Sequence, residues 1–460
     1  MKYDLLVIGG GPAGYVGAIR AAQLGKKVAC IEKERAGGTC LNWGCIPTKS
    51  LLRNAELYHL MKHRAKEFGF EFDNLSFDWS KIISRSRGVA DKLAGGIEVL
   101  FKKNKIDYIR GEGSLKDGKT VVVKNADGKE ETHTADKILV STGVVSRELP
   151  IAKFDGKKVV NSRHAMVLEP QPKSITVIGA GAIGVEFAYF FNAFGTKVTI
   201  LEMMPNILPV EDTDVGQTLE RSFKKQGITF IGGAKVEKAD VGKDGVKVTY
   251  TKKDKSTELE SDVLLVAVGV TALLPGGAEI DLDEKGYIKT NENYETSLPG
   301  VYAAGDIIGP PWLAHVASWE ATQAVDGMFV DGFKPKKIDK FPGCTYCQPQ
   351  VASVGLTERA AKEQGLKYKV GKFPFMANGK ALASGDSEGF TKLILGEEHG
   401  EILGAHIIGP EATELIAELG LAITLEATSE ELEATIHAHP TLSESVFEAT
   451  HQAYGQAIHI

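Results

Sequence analysis

Two cysteines five residues apart, Cys40 and Cys45, form the motif with the clearest chemistry in this sequence. Pro47 follows Cys45 by two residues, and proline favours the first turn of a helix. We therefore expect Cys45 at a helix N-terminus, where the positive end of the helix dipole favours a thiolate. A disulfide at this spacing needs some distortion, which makes it easier to reduce. The pattern predicts a catalytic redox pair, and Gly37 and Gly38 upstream would let the backbone approach a flat cofactor closely.

The other three cysteines do not suggest a second site. Cys30 lies within an apolar strand pattern and is expected in the core. Cys344 and Cys347 form a Cys-x-x-Cys pair, but no second pair or histidine stands at zinc-binding spacing. We interpret them as ordinary loop or core thiols, and we expect no metal site.

A glycine-rich pattern occurs twice, with the two copies 170 residues apart. Each copy reads as strand, glycine turn, helix, strand and acidic residue, the pattern of a dinucleotide-binding βαβ unit. The first glycine makes the turn, the second lets the backbone approach a pyrophosphate, and the third lets helix and strand pack closely. The residues are Gly9, Gly11, Gly14 and Glu32 in the first copy, and Gly179, Gly181, Gly184 and Glu202 in the second. The chain is therefore predicted to bind two dinucleotides.

The surroundings of the two units distinguish their nucleotides. Met203 and Met204 follow Glu202, so no cation is available there for a 2′-phosphate, and we interpret the second site as binding NAD rather than NADP. The cysteine pair follows the first unit, which is therefore expected to hold a flavin. Residues 301–306 read as a buried strand that ends in an acid, and Asp306 could there reach a ribityl hydroxyl.

These patterns predict an α/β fold with two Rossmann-like dinucleotide-binding domains and a C-terminal α+β domain. The expected segments are residues 1–148 for the first part of the flavin domain, 149–272 for the NAD domain, 273–340 for a central return to the flavin domain, and 341–460 for the C-terminal domain.

Composition excludes several classes of protein. Of the 460 residues, 43% are hydrophobic and 25% are charged, which is ordinary globular usage. The net charge of −6 and the lack of a basic run argue against a nucleic-acid partner. No apolar run reaches the length of a membrane span, and the strand pattern begins too early for a targeting peptide. We therefore expect a cytoplasmic protein.

A histidine near the C-terminus could act as a base. His439 precedes a predicted helix, and Glu444 follows it by five residues across a proline turn. The carboxylate could hold one ring nitrogen and leave the other to accept a proton. Thr441 or Ser443 could cap the helix.

Taken together, residues 37–49, both glycine units, Gly305–Asp306 and residues 437–444 resemble class I of the pyridine nucleotide-disulfide oxidoreductases, in the lipoamide-oxidising branch of the dihydrolipoyl dehydrogenases. The resemblance implies that Cys40 exchanges sulfur with the substrate and that Cys45 lies against FAD as the charge-transfer thiolate. It further implies that His439, oriented by Glu444, is the base, contributed across a homodimer interface.

The resemblance also implies the remaining contacts and the partners. Lys49 and Glu186 match a family ion pair beside the flavin. Positions that match FAD contacts are Glu32, Gly113, Thr142, Gly143, Asp306 and Ala314, and those that match NAD contacts are Glu202, Val236 and Gly269. The implied partners are lipoyl domains and the acyltransferase core of 2-oxo acid dehydrogenase complexes, or the lipoylated carrier protein of glycine cleavage. One departure is Val270, which stands where the family commonly has arginine.

Two other functions remain open from the sequence. One is a glutathione reductase-type enzyme that uses NADPH, which would need cations after Glu202. The other is a non-catalytic dimeric scaffold in a multienzyme complex, which would need none of Cys40, Cys45 or His439.

Overall fold

The computed structural model describes residues 2–460. The chain forms two compact units, each built from three stretches of sequence. The first unit contains Met1–Ser50, Ser80–Arg147 and Gly269–Asp339, and the second contains Leu51–Trp79, Glu148–Val268 and Lys340–Ile460. Within the described residues, no helix is both long enough and apolar enough to cross a membrane.

The elements of the N-terminal third follow the predicted order of strand, glycine turn, helix and strand. They are β1 (Lys2–Ile8), α1 (Pro12–Gln23), β2 (Val28–Glu32), α2 (Gly38–Trp43), α3 (Cys45–His63), α4 (Trp79–Lys103), β3 (Asp107–Arg110), β4 (Glu112–Leu115), β5 (Thr120–Lys124), β6 (Glu130–Val140) and β7 (Val144–Ser146).

The middle of the chain repeats this order and then returns to the first unit. Its elements are β8 (Val159–Val160), α5 (Ser162–Ala165), β9 (Ser174–Ile178), α6 (Ala182–Ala193), β10 (Lys197–Glu202), α7 (Thr213–Lys225), β11 (Thr229–Gly232), β12 (Lys235–Val241), β13 (Val246–Lys252), β14 (Lys255–Ser261), β15 (Val263–Val266), β16 (Val270–Ala272), β17 (Val301–Ala303) and α8 (Ala314–Phe329).

The C-terminal stretch is a sheet with helices. Its elements are β18 (Gly343–Thr345), β19 (Gln350–Gly355), α9 (Glu358–Glu363), β20 (Tyr368–Pro374), α10 (Gly379–Ser384), β21 (Phe390–Gly396), β22 (Ile402–Gly409), α11 (Ala412–Thr424), α12 (Ser429–Ala434) and α13 (Glu444–Gln452). The periodic apolar patterns of residues 411–425 and 443–456 predict two helices, and the structure has α11 and a shorter α13 at these positions.

The first unit is built on a seven-stranded sheet in the order β3-β2-β1-β6-β5-β4, with β17 paired to β6. β1 lies parallel to both β2 and β6. Alternate residues of β1 are buried on opposite faces, with Leu5 and Val7 in one apolar core and Leu6 and Ile8 in another. A strand that is buried on both faces is covered by helices on both sides. The turn at its carboxyl end therefore lies close to a helix, as in nucleotide-binding sheets.

The second unit contains two main sheets. One has the order β11-β10-β9-β15-β8, and the pairs of this sheet are parallel. The other has the order β18-β19-β22-β21-β20, and its pairs are antiparallel. The apolar core of the antiparallel sheet includes residues of α11 and α13. Two Rossmann-like sheets and an α+β C-terminal part confirm the predicted fold class.

A buried lysine joins two segments of the second unit. Lys392 on β21 has a side chain only 2% exposed, and its Nζ contacts Asp212 at 2.9 Å, Asp214 at 3.2 Å and Glu358 at 2.7 Å. Burial by itself lowers the pKa of Lys392, but the hydrogen bonds to Glu358 and Asp212 raise it overall. Asp212 also accepts the backbone N–H groups of Asp214 and Glu358, so the lysine neutralises a carboxylate that organises both segments.

Substitution of this lysine tests its role in stability. Lys392→Met should lower the free energy of unfolding by about 3–5 kcal/mol, because it leaves the buried carboxylate of Asp212 without its cation. Lys225→Met is the matched control, because Lys225 pairs with Glu388 while its side chain is 74% exposed, and its loss should cost under about 1 kcal/mol. Urea unfolding followed by circular dichroism measures both, and equal effects would contradict the proposed contribution of burial.

Candidate active site

The first glycine turn is closed by backbone contacts that leave no room for side chains. Gly9 has φ +100°, and a Cβ there would overlap the carbonyl oxygen of Ser141. A Cβ on Gly14 would overlap the carbonyl oxygen of Gly9. Gly11, by contrast, has only Gly38 Cα near its Cβ position, at 3.8 Å. The turn therefore packs tightly at its two ends and stays open in the middle, where a pyrophosphate needs access.

The carboxylate of Glu32, at the end of the first βαβ unit, is held in place by backbone N–H groups. Glu32 accepts the N–H of Gly10 at 2.8 Å and the N–H of Glu34 at 2.7 Å. A cleft beside it is also lined by Gly113 and Thr142. The hydroxyl oxygen of Thr142 is buried and has no hydrogen-bond partner among the described residues. The cleft therefore offers an acid and an unsatisfied hydroxyl to a polar ligand, which fits the adenosine part of a dinucleotide.

The second glycine turn repeats this geometry. Gly179 has φ +103°, and a Cβ there would overlap the carbonyl oxygen of Ala267, while a Cβ on Gly184 would overlap that of Gly179. No atom lies within 4 Å of a Cβ on Gly181. Glu202 accepts the N–H groups of Ala180 and Met204, both at 2.8 Å. The two glycine turns therefore share the same close contacts and hydrogen bonds as well as the same sequence pattern.

The two cysteines lie at the junction of two helices. Cys45 begins α3, as Pro47 predicts, but Cys40 lies in the short helix α2, which the sequence pattern does not predict. Gly44 lies between the helices, and a Cβ there would be 3.3 Å from Cys40 Cα. Gly38 packs on the first nucleotide turn, with its Cβ position 2.5 Å from Gly11 Cα. Glycines therefore bring the cysteine pair next to the first turn.

Polar and aromatic side chains fix α2. Buried Asn42 donates to the carbonyl oxygens of Ala36 and Gly38, both at 3.0 Å. Arg87 donates to the carbonyl oxygen of Asn42 at 2.6 Å and lies over the ring of Trp43 at 4.0 Å. A stacked guanidinium of this kind is a stabilising cation–π contact. Sequence reasoning missed Arg87, because nothing near it in the chain links it to the cysteines.

The two sulfurs of the pair are hydrogen-bonded to each other. No disulfide is present among residues 2–460. The hydrogen bond between Cys40 and Cys45, followed by burial, raises the pKa of Cys40, and Lys49 acts in the opposite direction. Cys40 therefore holds its proton more tightly than an ordinary cysteine does. Burial raises the pKa of the Tyr15 phenol on α1, and the nearby sulfurs of Cys40 and Cys45 raise it further. The sequence pattern does not reveal that Tyr15 lies close to the cysteine pair.

The other positions expected to contact FAD lie in the same unit. Asp306 follows β17 and the Gly305 turn, and burial raises its pKa to about 6. Ala314 begins α8. Gly143 has φ +72°, and its carbonyl oxygen accepts the N–H of Leu273 on the returning chain. Strand β16, which contains Val270, pairs with β7 at this point.

The histidine site lies in the second unit. His439 Nδ1 is 2.8 Å from Glu444 Oε1, and Glu444 Oε2 accepts the N–H of Thr441 at 2.8 Å. Burial raises the pKa of Glu444, but these two hydrogen bonds outweigh it and lower the pKa overall. An ionised Glu444 makes Nδ1 the donor and leaves Nε2 as the acceptor. The side chain of His439 is 79% exposed, so Nε2 is accessible.

The expected hydroxyl cap of α13 is wrong. Ser443 occupies the N-cap position but makes no side-chain capping hydrogen bond. The hydroxyl of Thr441 donates to the carbonyl oxygen of Ala438 at 2.6 Å and lies 2.9 Å from that of Ser443. Both hydroxyls are therefore used within the loop that precedes the helix.

The implied ion pair and two of the implied NAD contacts are divided between the two units. Lys49 belongs to the first unit and Glu186 to the second, where Glu186 is buried and accepts the N–H of Tyr346 at 2.9 Å. Val236 lies in the second unit and Gly269 in the first. The roles of these four residues stay predictions.

Comparison with known proteins identifies the family. Residues 3–321 match the model of the pyridine nucleotide-disulphide oxidoreductases, and residues 341–450 match the dimerisation domain of that family. The chain belongs to the pyridine nucleotide-disulphide oxidoreductase family and is an oxidoreductase. The dimerisation domain supports a homodimer.

Relatives and solved structures agree with this assignment. Dihydrolipoyl dehydrogenase from Zymomonas mobilis is 44% identical over 99% of both chains, and that from Chlorobaculum parvum is 46% identical over 98% of this chain and 97% of its own. The crystal structure of LpdA from Mycobacterium tuberculosis superposes with a TM-score of 0.90 at 28% identity, covering 97% of this chain and 98% of its own. These matches confirm the resemblance inferred from the sequence and do not favour the two other functions.

The family implies FAD and NAD as the nucleotides, and both turns fit them. Each has the open middle glycine, the closed end glycines and an acid placed by two backbone N–H groups. In the first unit, Glu32, Gly113 and Thr142 would hold the adenosine part of FAD. In the second, Glu202 would hold the adenosine ribose of NAD.

The equivalence of the two turns gives a paired prediction. Gly14→Ala should abolish flavin binding, while Gly184→Ala should leave the flavin bound and weaken NAD binding at least about tenfold, because each Cβ collides with its own turn. Gly95→Ala in α4 is the control, since no atom lies within 4 Å of its Cβ position. The visible spectrum of each purified variant and a titration with NADH check the outcome. Loss of both nucleotides in both variants would contradict independent sites.

Proposed function

We propose that this chain oxidises protein-bound dihydrolipoamide to lipoamide through Cys40 and Cys45, with FAD as bound cofactor and NAD⁺ as final electron acceptor. The observation that carries the proposal is the hydrogen-bonded cysteine pair next to the first nucleotide turn, in which the hydrogen bond to Cys45 raises the pKa of Cys40. Close relatives bearing the name dihydrolipoyl dehydrogenase support the choice of substrate.

The exchange begins from the oxidised Cys40–Cys45 disulfide. His439 Nε2 removes a proton from one thiol of the substrate, since only a thiolate attacks a disulfide efficiently. The thiolate forms a bond to Cys40 Sγ, the Cys40–Cys45 bond breaks, and Cys45 leaves as a thiolate. The second substrate thiol then attacks the first sulfur, the bond from that sulfur to Cys40 breaks, and the proton of the second thiol passes to Cys40, which releases lipoamide and leaves Cys40 as a thiol. The raised pKa of Cys40 and the helix N-terminus at Cys45 suit these two roles.

Bound FAD, which Glu32, Gly113 and Thr142 would hold, would supply the two-electron chemistry that links the cysteine pair to NAD⁺. Exposed Met203 and Met204 beside Glu202 supply no cation for a 2′-phosphate, which supports NAD rather than NADP. The role of Glu444 is to hold His439 in the tautomer that presents Nε2.

The proposed partners are lipoylated proteins and a second copy of this chain. The substrate arm would come from the lipoyl domains of a 2-oxo acid dehydrogenase complex, with its acyltransferase core, or from the lipoylated carrier of glycine cleavage. In the homodimer, His439 would serve the cysteine pair of the partner subunit.

Anaerobic titration of the purified protein with dihydrolipoamide tests the function. We expect a long-wavelength charge-transfer band when Cys45 becomes a thiolate beside the flavin, followed by formation of NADH when NAD⁺ is added. No band and no NADH would overturn the proposal. Faster turnover of glutathione disulfide with NADPH would support a glutathione reductase-type enzyme instead.

A histidine variant tests the division of roles. His439→Gln should lower turnover by about 10²–10⁴-fold, the usual contribution of a general base, while the flavin spectrum is unchanged. His459→Gln is the matched control, because His459 Nδ1 likewise pairs with a glutamate of α13, Glu448, at 2.6 Å. Steady-state assays compare the two. A loss of flavin in His439→Gln, or an equal loss of turnover in both variants, would contradict His439 as the base.

A further inference from the structure

A buried carboxyl group lies behind the predicted ribityl contact and has no part in the mechanism above. Glu320 on α8 is only 8% exposed. Its Oε2 accepts the backbone N–H of Gly305 at 2.9 Å, one residue before Asp306. A buried N–H without such an acceptor would be costly, so this bond helps to determine the conformation of the turn.

The Gly305 turn needs external support because its backbone conformation is unusual. Gly305 has φ +80°, and its Cβ position is 3.0 Å from Ala13 Cβ on α1 and 3.2 Å from Ala317 Cβ on α8. The turn is therefore wedged between the helix of the first nucleotide unit and α8. Glu320 is one turn beyond Ala317 on the same helix face and provides the polar contact.

This bond connects two predicted contacts of the same cofactor. Asp306 follows the turn, and Ala314 begins α8. By binding Gly305, Glu320 fixes the end of β17 relative to the start of α8. Lys337 and Asp306 are the charged groups that act on Glu320, and burial, the largest effect, raises its pKa to about 7.

We propose that Glu320 is a positioning residue for the flavin, because its carboxyl group holds the Gly305–Asp306 turn in the conformation that receives the ribityl chain. This rests on the proposed function, since it takes the first nucleotide to be FAD. The requirement is for an acceptor at this position, and a neutral amide of the same length meets it.

Flavin affinity of the apoprotein tests this proposal without use of catalysis. FAD is removed from the full chain, and rebinding is followed by quenching of flavin fluorescence. Glu320→Met, which lacks an acceptor, should raise the Kd for FAD about tenfold or more, the effect of leaving a buried donor unpaired. Glu320→Gln should restore the Kd to within about threefold of the parent, because its amide oxygen can still accept from Gly305.

A matched control separates positioning from stability. Glu295 accepts the N–H of Gly300 at 2.9 Å, just before the other end of β17. Glu295→Met removes the same kind of bond on the side away from Asp306, and its Kd for FAD should stay at the parental value. Should Glu320→Met fail to fold, Glu320→Asp, whose side chain is one carbon shorter, should show the raised Kd instead.

Three outcomes would overturn the role of Glu320: an unchanged Kd in both Glu320→Met and Glu320→Asp, no rescue in Glu320→Gln, or an equal rise in Glu295→Met. Failure of the proposed function looks different, because the parent protein itself would then not bind FAD.

Discussion

Gly14 and Gly184 each face a carbonyl oxygen of their own turn so closely that a single methyl group would not fit. Helix α1 can approach β1, and α6 can approach β9, only because these positions lack side chains. The helix N-termini then face the middle of each turn, where a negatively charged pyrophosphate is stabilised by the helix dipole. The cysteine pair depends on the same constraint, because Gly38 rests on Gly11.

Much of this arrangement could be predicted from the sequence because it is local. The glycine turns, their acids, the helix start at Cys45 and the pairing of His439 with Glu444 each involve residues within about one βαβ unit of each other. Pattern and spacing carry that information. The ends of α11 and α13 lie within a few residues of the ends predicted from the sequence, a difference that is usual at helix ends.

The missed features are long-range contacts. Arg87 stacks on Trp43, Glu320 binds Gly305, and Lys392 joins carboxylates from α7 and α9. Each involves a charged side chain with no distinguishing sequence neighbours. Charged residues are usually exposed, so composition alone places them on the surface. The burial of Glu320 and Lys392 and the stacking of Arg87 become visible only when the packing of each unit is known. The helix around Cys40 was missed because six residues are too few to show a periodic pattern.

The carboxylate of Glu202 has a consequence for redesign of nucleotide preference. Both of its oxygens already accept backbone N–H groups, from Ala180 and Met204, so the acid is part of the loop's own framework. Exchanging it for a neutral or basic residue would loosen the loop as well as remove the negative charge. Met203, 68% exposed, is the side chain that can be replaced without disturbing that framework. A route toward NADP use would therefore begin at Met203 and leave the acid until last.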